Sequence, residues 1–198
     1  MIMKIRIKNS ILKEIEASIQ VKSKILKDKI IIQQIFSLSE LCINALSNSK
    51  KIIFAGNGGS FADAQHLSAE FTSRFRFNRS PLASIVLGIN SSSMSAIGND
   101  YGFDNIFKRE LLGLYNPGDV FIPITTSGNS KNIINCTRQA VKLDINIVAF
   151  TSIKDNYIKK YCETIKVPSN DTARIQECHV LIGHILCGLV EDGMFNKR

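Results

Sequence analysis

Histidine is scarce in this chain, three in 198 residues, so any imidazole chemistry falls to His66, His179 and His184. No Cys-x-x-Cys pair occurs. The five cysteines (Cys42, Cys136, Cys162, Cys178, Cys187) are odd in number and widely spaced, which argues against a disulfide framework or zinc knuckle and fits reduced, buried thiols. Neither the Gly-x-Gly-x-x-Gly of dinucleotide sites nor the Gly-Lys-Ser/Thr of nucleotide phosphate loops is present. The most apolar late stretch, Val180 to Val190, is about half the ~20 residues a bilayer demands and carries His184, so no membrane span is expected. The opening Met1-Ile2-Met3-Lys4-Ile5-Arg6 alternates charge with bulk and lacks a small-residue cleavage site. No secretion signal is read there, and the cytoplasm is the default compartment.

What is present is a composition of ordinary globular type, 44% hydrophobic and 21% charged, long enough for one domain with a full core and too short for two. The formal charge is +8, and the first 51 residues supply most of it, ten Lys/Arg against four Asp/Glu. That charge lies in helical text without aromatic interleaving, so a solvated helix face is favoured over a nucleic-acid surface, and no nucleic-acid partner is expected. From Ser10 to Ser49 no proline interrupts, and Ile31, Ile35, Leu38, Cys42 and Leu46 recur at helical spacing. Thereafter strand-length apolar runs (51–55, 82–87, 120–124, 146–151, 164–167) alternate with helix-length segments (60–75, 91–98, 105–114, 130–143, 172–194). Runs apolar on both faces, such as Ile52-Ile53-Phe54, belong to a parallel sheet covered by helices, a three-layer α/β architecture. Neither repeat nor linker divides it, so a single domain spans 1–198, with 1–49 a helical arm and 50–198 the α/β core.

Two strand-to-helix loops carry the chemistry. Gly56-Asn57-Gly58-Gly59-Ser60 lets a ligand approach bare backbone beside a helix N-terminus, although an ordinary turn with Ser60 as N-cap accounts for it equally well. Thr125, Thr126, Ser127 and Ser130 surround one glycine at the second junction. Hydroxyls and free N–H groups converging at a helix start hold a phosphate without lysine, whereas capping by Asn129 or Ser130 explains only one or two of the four. Downstream of the first loop, His66 and Glu70 stand one helical turn apart, on one face, able to share a metal ion or a substrate.

Gly56-Asn57-Gly58-Gly59-Ser60, Asp63-Ala64-Gln65-His66 with Glu70 and Arg74, Asn99-Asp100-Tyr101-Gly102, Thr126-Ser127-Gly128-Asn129-Ser130, and Asp171-Thr172-Ala173-Arg174-Ile175-Gln176-Glu177 with His179 and His184 form a set. Over nearly the whole chain that set resembles the sedoheptulose 7-phosphate (phosphoheptose) isomerases of the sugar isomerase (SIS) superfamily. The resemblance implies a five-stranded parallel sheet of flavodoxin-like form, a homotetramer, and conversion of sedoheptulose 7-phosphate to D-glycero-D-manno-heptose 7-phosphate. That reaction starts the route to nucleotide-activated heptose for lipopolysaccharide or capsule. It further implies one zinc ion per subunit on residues matching His66, Glu70, Gln176 and His184. Substrate contacts would fall on Asn57, Gly58, Gly59, Ser60, Glu70, Asn99, Asp100, Thr125, Thr126, Ser127, Ser130 and Gln176. One departure is visible: Thr125 stands where the family usually has serine, which keeps a hydroxyl and tightens the sterics.

An aldose–ketose isomerase needs a base for the proton beside the carbonyl and an acid for its oxygen. Glu70 and His184 are the natural pair, with Glu70 assigned to the carbon-bound proton and His184 to the hydroxyl proton, although the roles can be exchanged. Taken singly, His66 reads as a half-exposed helical residue and His184 as a core histidine; jointly with Glu70, Gln176 and both loops, a site is favoured. His179 is read as structural, and Arg74 as a partner for substrate or for Glu70. Gln176 and His184 are eight residues apart, ~12 Å along a helix, too far for one metal on one straight helix. Either the helix begins after Gln176 or the two come from different subunits, and a site composed at a subunit interface is expected. Two other readings compete: a non-catalytic SIS protein resembling the tetramer that binds the replication initiator, and a sugar-phosphate sensor of transcription. The first would lose the metal and acid–base residues; the second would need a DNA-binding module that residues 1–50 do not supply.

Overall fold

The computed structural model describes residues 2–154 and 156–195. Met1 and the last three residues of the expected domain lie outside that set, as do the side chains of residues 1–6, the stretch read for a secretion signal.

Five strands, β1 (Ile52–Gly56), β2 (Ser84–Val86), β3 (Val120–Ile124), β4 (Asn146–Ser152) and β5 (Glu163–Val167), form one parallel sheet in the order β2-β1-β3-β4-β5. Its side chains alternate as the pleat requires. Ile52, Phe54, Val120 and Ile122 enter one core; Ile53, Ala55 and Phe121 enter the other, and all seven are fully buried. On the first face pack α1 (Ile2–Lys27), α2 (Lys29–Ser47), α3 (Gly59–Thr72) and α7 (Thr172–Phe195). On the second lie α4 (Ser91–Tyr101), α5 (Ile106–Leu114) and α6 (Lys131–Lys142). The β3–β4 register runs Val120↔Asn146, Phe121↔Ile147 and Ile124↔Phe150, passing over Pro123, which has no N–H to give.

Several boundaries differ from the sequence reading. The helical arm consists of two helices, divided at Asp28, whose extended backbone and Oδ1, accepting from Ile30 and Ile31 N–H, start α2. The first loop is capped at Gly58 (φ 54°), so Ser60 is not the N-cap but lies inside the first turn, buried. The run 82–87 keeps only three strand residues at the sheet edge. α4 continues past Gly98 to Tyr101 and takes Asn99 and Asp100 into its last turn.

The hydropathy reading also needs correction. Both α2 and α7 are long and apolar enough to cross a bilayer by length and composition. Packing supplies another reason for their character: α2 buries Ile31, Ile35, Leu38, Cys42, Ala45 and Leu46, and α7 buries Ile175, Cys178, Ile182, Leu186 and Val190 against the same core.

Candidate functional site

The sheet order reverses between β1 and β3, the position where ligands of open α/β sheets bind, outside the strand carboxyl ends. Both loops rise from that point, because Gly56 and Ile124 are register partners. Gly56 admits no side chain, since a Cβ there would lie 2.3 Å from the Ser60 carbonyl oxygen as the chain folds back into α3. In the second loop Thr125 is buried, and its Oγ1 accepts the Gly128 N–H at 3.1 Å. Ser127 Oγ accepts from Asn129 N–H, and Asn129 Oδ1 accepts from Tyr157 N–H. Ser130 occupies the N-cap of α6 with no side-chain capping bond. Ser130 therefore does not cap α6 with its side chain; Asn132 Oδ1 takes the Ile133 N–H, and the N–H groups ahead of it at the helix start face the loop, where an anion is favoured.

Two turns along α3, His66 and Glu70 meet His184 of α7. His66 Nε2 and His184 Nε2 are 2.7 Å apart, Glu70 Oε1 is 3.8 Å from His66 Nε2, and one donor atom from each lies within 4.8 Å of the others. Two imidazole nitrogens and a carboxylate oxygen converge as a donor set that fits zinc. The helices come this close because Gly183 has no side chain: a Cβ there would lie 2.4 Å from the Leu67 methyls, and Leu67 and Gly183 are the sequence neighbours of His66 and His184. Phe75 stacks on the His184 ring, centroids 5.4 Å apart. Burial, then the His66 charge, push the His184 pKa down against the pull of Glu70, so the neutral imidazole is favoured.

A buried ion pair supports this end of α3. Arg79 donates to the carbonyls of Glu70, Phe71 and Ser73, satisfying the last turn of the helix. Glu191 accepts from Arg79 Nε and from the Phe75 and Arg76 N–H groups at 2.8–2.9 Å. Burial raises the Glu191 pKa, but those N–H groups and the guanidinium outweigh it and hold the carboxyl below its usual range. Asp63, one turn before His66, has a buried Oδ2 without a partner among the described residues, and burial lifts its pKa to about 6 against the influence of His66.

The remaining predicted residues are distributed unevenly. α7 is continuous from Thr172, so the alternative in which the helix begins after Gln176 is ruled out. The Gln176 amide lies against Gly59, where a Cβ would come within 2.2 Å of its Nε2, two turns from His184. Three of the four expected metal donors thus gather in one chain, and Gln176 sits at the first loop. Asn99 and Asp100 are exposed, bonded to each other, and line a serine-rich groove with Ser91, Ser92, Ser95 and Ala96. Arg74 is exposed beyond α3, and His179 is buried with Nε2 on the Thr151 carbonyl. Sequence reasoning missed Phe75, Arg79, Gly183 and Glu191. Only Glu191, a carboxylate within an apolar helix, leaves a trace in the text.

Comparison with known proteins places the chain. The SIS domain family matches residues 15–152. The phosphoheptose isomerase of Clostridium acetobutylicum is 45% identical over 192 residues, covering 96% of this chain and 98% of the relative. Phosphoheptose isomerase 2 of Campylobacter jejuni is 47% identical over 181 residues, covering 91% and 90%. The solved phosphoheptose isomerase from Neisseria gonorrhoeae superposes with a TM-score of 0.87 at 35% identity, over 94% of this chain and 99% of that one.

Proposed function

Because this chain belongs to the SIS domain family and, within it, to the phosphoheptose isomerases, we propose an assignment of the reaction's parts to its residues. It is an aldose–ketose isomerase of heptose phosphates, converting sedoheptulose 7-phosphate to D-glycero-D-manno-heptose 7-phosphate through an enediolate. The observation that carries the assignment is the convergence of His66, Glu70 and His184 two turns below the loops. Those turns are ~10–12 Å of helix, comparable to the reach of an extended seven-carbon sugar phosphate.

Thr126, Ser127, Ser130 and the N-terminus of α6 hold the phosphate, with the buried Thr125 shaping their loop. Asn57, Gly58, Gly59, Ser60 and Gln176 line the sugar, and Asn99 and Asp100 contact its hydroxyls from the serine-rich groove. Glu70 takes the proton from one carbon and returns it to the neighbour, while neutral His184 moves the hydroxyl proton, its ring held by Phe75. A carboxylate has two oxygens, so one can face the imidazoles while the other accepts the proton. His66, Glu70 and His184 would hold one zinc ion per subunit, with Gln176 of the partner subunit as fourth donor. When bound, the ion supplies Lewis-acid polarisation of the carbonyl and its neighbouring hydroxyl.

The same reading makes the protein a cytoplasmic homotetramer with sites at subunit interfaces. Exposed Ile11, Ile15 and Ile19 on α1, and Leu26, Ile32 and Phe36 beside Ile185, form an apolar surface that supports association of copies. The product feeds nucleotide-activated heptose for lipopolysaccharide or capsule. Incubating the protein with sedoheptulose 7-phosphate and following aldose formation, with and without chelator, tests the reaction and the metal. Turnover lost on chelation and restored by zinc is expected; no turnover in either condition overturns the reading. Mixing Glu70→Gln chains with Gln176→Ala chains tests the shared site. Hybrids that regain activity support it, and inactive hybrids overturn the shared site.

A further inference from the structure

We propose that Asn132 is a positioning residue that locks the amide of Asn57 in one orientation and thereby ties the first loop to the helix beneath the second. The inference rests on the reading above, in which Asn57 contacts the sugar phosphate. Asn57 Nδ2 donates to Asn132 Oδ1 and Asn132 Nδ2 donates to Asn57 Oδ1, each at 2.9 Å, a closed pair between side chains 75 residues apart. Asn132 is 2% exposed, in the first turn of α6, while Asn57 is half-buried at the loop between Gly56 and exposed Gly58.

A primary amide can turn over with almost no change of shape, exchanging donor for acceptor, so its direction must be set by its neighbours. Here the Ile133 N–H donates to Asn132 Oδ1 at 2.9 Å. Only an oxygen satisfies that N–H, so the Asn132 nitrogen must face Asn57 Oδ1 and the Asn57 nitrogen must face Asn132 Oδ1. The helix start thus dictates which end of Asn57 is which. With one N–H and one lone pair committed, Asn57 has one N–H and one lone pair left for a ligand, in a fixed arrangement. The strands beneath already hold the loop bases together, Gly56 against Ile124; the amide pair extends the tie to the ligand side. Substrate therefore meets an Asn57 that needs no reordering, and the expected consequence is tighter binding rather than faster chemistry.

The test is Asn132→Ser, which keeps an oxygen near the Ile133 N–H while removing the amide pair, assayed alone and in an Asn57→Ala background. If Asn132→Ser does not fold, Asn132→Thr takes its place. The expected result is a KM for sedoheptulose 7-phosphate raised about fivefold to tenfold, with kcat changed less than about twofold. In the Asn57→Ala background the same change should move KM by less than about twofold, because the group it orients is gone. A purely structural Asn132 would lower the melting temperature in both backgrounds and leave KM alone. A wild-type KM in the single variant, or an equal KM rise in both backgrounds, overturns the latch while leaving the isomerase intact. A wild-type enzyme that neither binds nor turns over the sugar phosphate overturns both.

Discussion

The His66–Glu70–His184 cluster hangs from facing sides of two helices, whereas the loops Gly56–Ser60 and Thr125–Ser130 rise from neighbouring strand ends. In the loops, contacts among near neighbours do much of the shaping: Thr125 closes on Gly128, Ser127 on Asn129, and Gly56 turns tightly into Ser60. The cluster owes its form to distant contacts: Gly183 against Leu67, Phe75 on His184, and Arg79 with Glu191 under the end of α3. Loops that bind as proposed tolerate small shifts, because a phosphate is gripped by several donors at once. Reacting groups do not, since a displacement of 1 Å can cost about a hundredfold in rate.

The largest effect should come from Glu70→Gln, which keeps the shape of the side chain but cannot accept the proton: kcat falls about a thousandfold, with little change in melting temperature. Substrate binding measured by calorimetry should survive, and its loss would show that the two regions are not separable. Next is Gly183→Ala. Its Cβ would press on Leu67, so kcat should drop about a hundredfold and stability by about 1–3 kcal/mol, with both recovering in part when Leu67→Ala is added. Failure of that rescue would mean that α3–α7 spacing is not what aligns His66 and His184.

Acid should act on α7 through His179, whose pKa burial lowers to about 4 while its Nε2 bond to the Thr151 carbonyl pulls the other way. The folded protein keeps this imidazole neutral, and the unfolded chain protonates it near 6.5. Its contribution is therefore fully present above about pH 6.5 and is lost as pH falls towards 4, on the order of 3 kcal/mol in all. Denaturant unfolding across that range should show the slope, and His179→Asn should flatten it. The smallest effect expected is Ser127→Ala, which removes one hydroxyl from the proposed phosphate site and should raise KM about tenfold with kcat unchanged. A fall in kcat instead would move the second loop from binding into catalysis.

Much of the fold was legible because parallel strands buried on both faces are written as short apolar runs, and each of the five lies where such a run stands. The break at Asp28 was harder to see, since neither glycine nor proline marks it and only an N-capping aspartate does. His66 and Glu70 could be paired in advance because one helical turn is a local distance. Gly183 offered no such sign: nothing within several residues of it shows that Leu67 will fill the space its missing side chain leaves. Arg79 and Glu191, 112 residues apart, and Asn57 and Asn132, 75 apart, are pairs of the same kind.

By itself the sequence determined what short-range chemistry can determine: the alternation of strand and helix, two glycine- and hydroxyl-bearing loops at helix starts, and a histidine one turn from a glutamate. Tertiary structure decided which distant groups share a site. His184 comes to His66 because Gly183 lets two helices touch, and Gln176 goes to Gly59 because one unbroken helix carries it two turns away. The physical reason is that backbone periodicity is a local property of the chain, while close approach depends on volumes contributed by residues that meet only after folding.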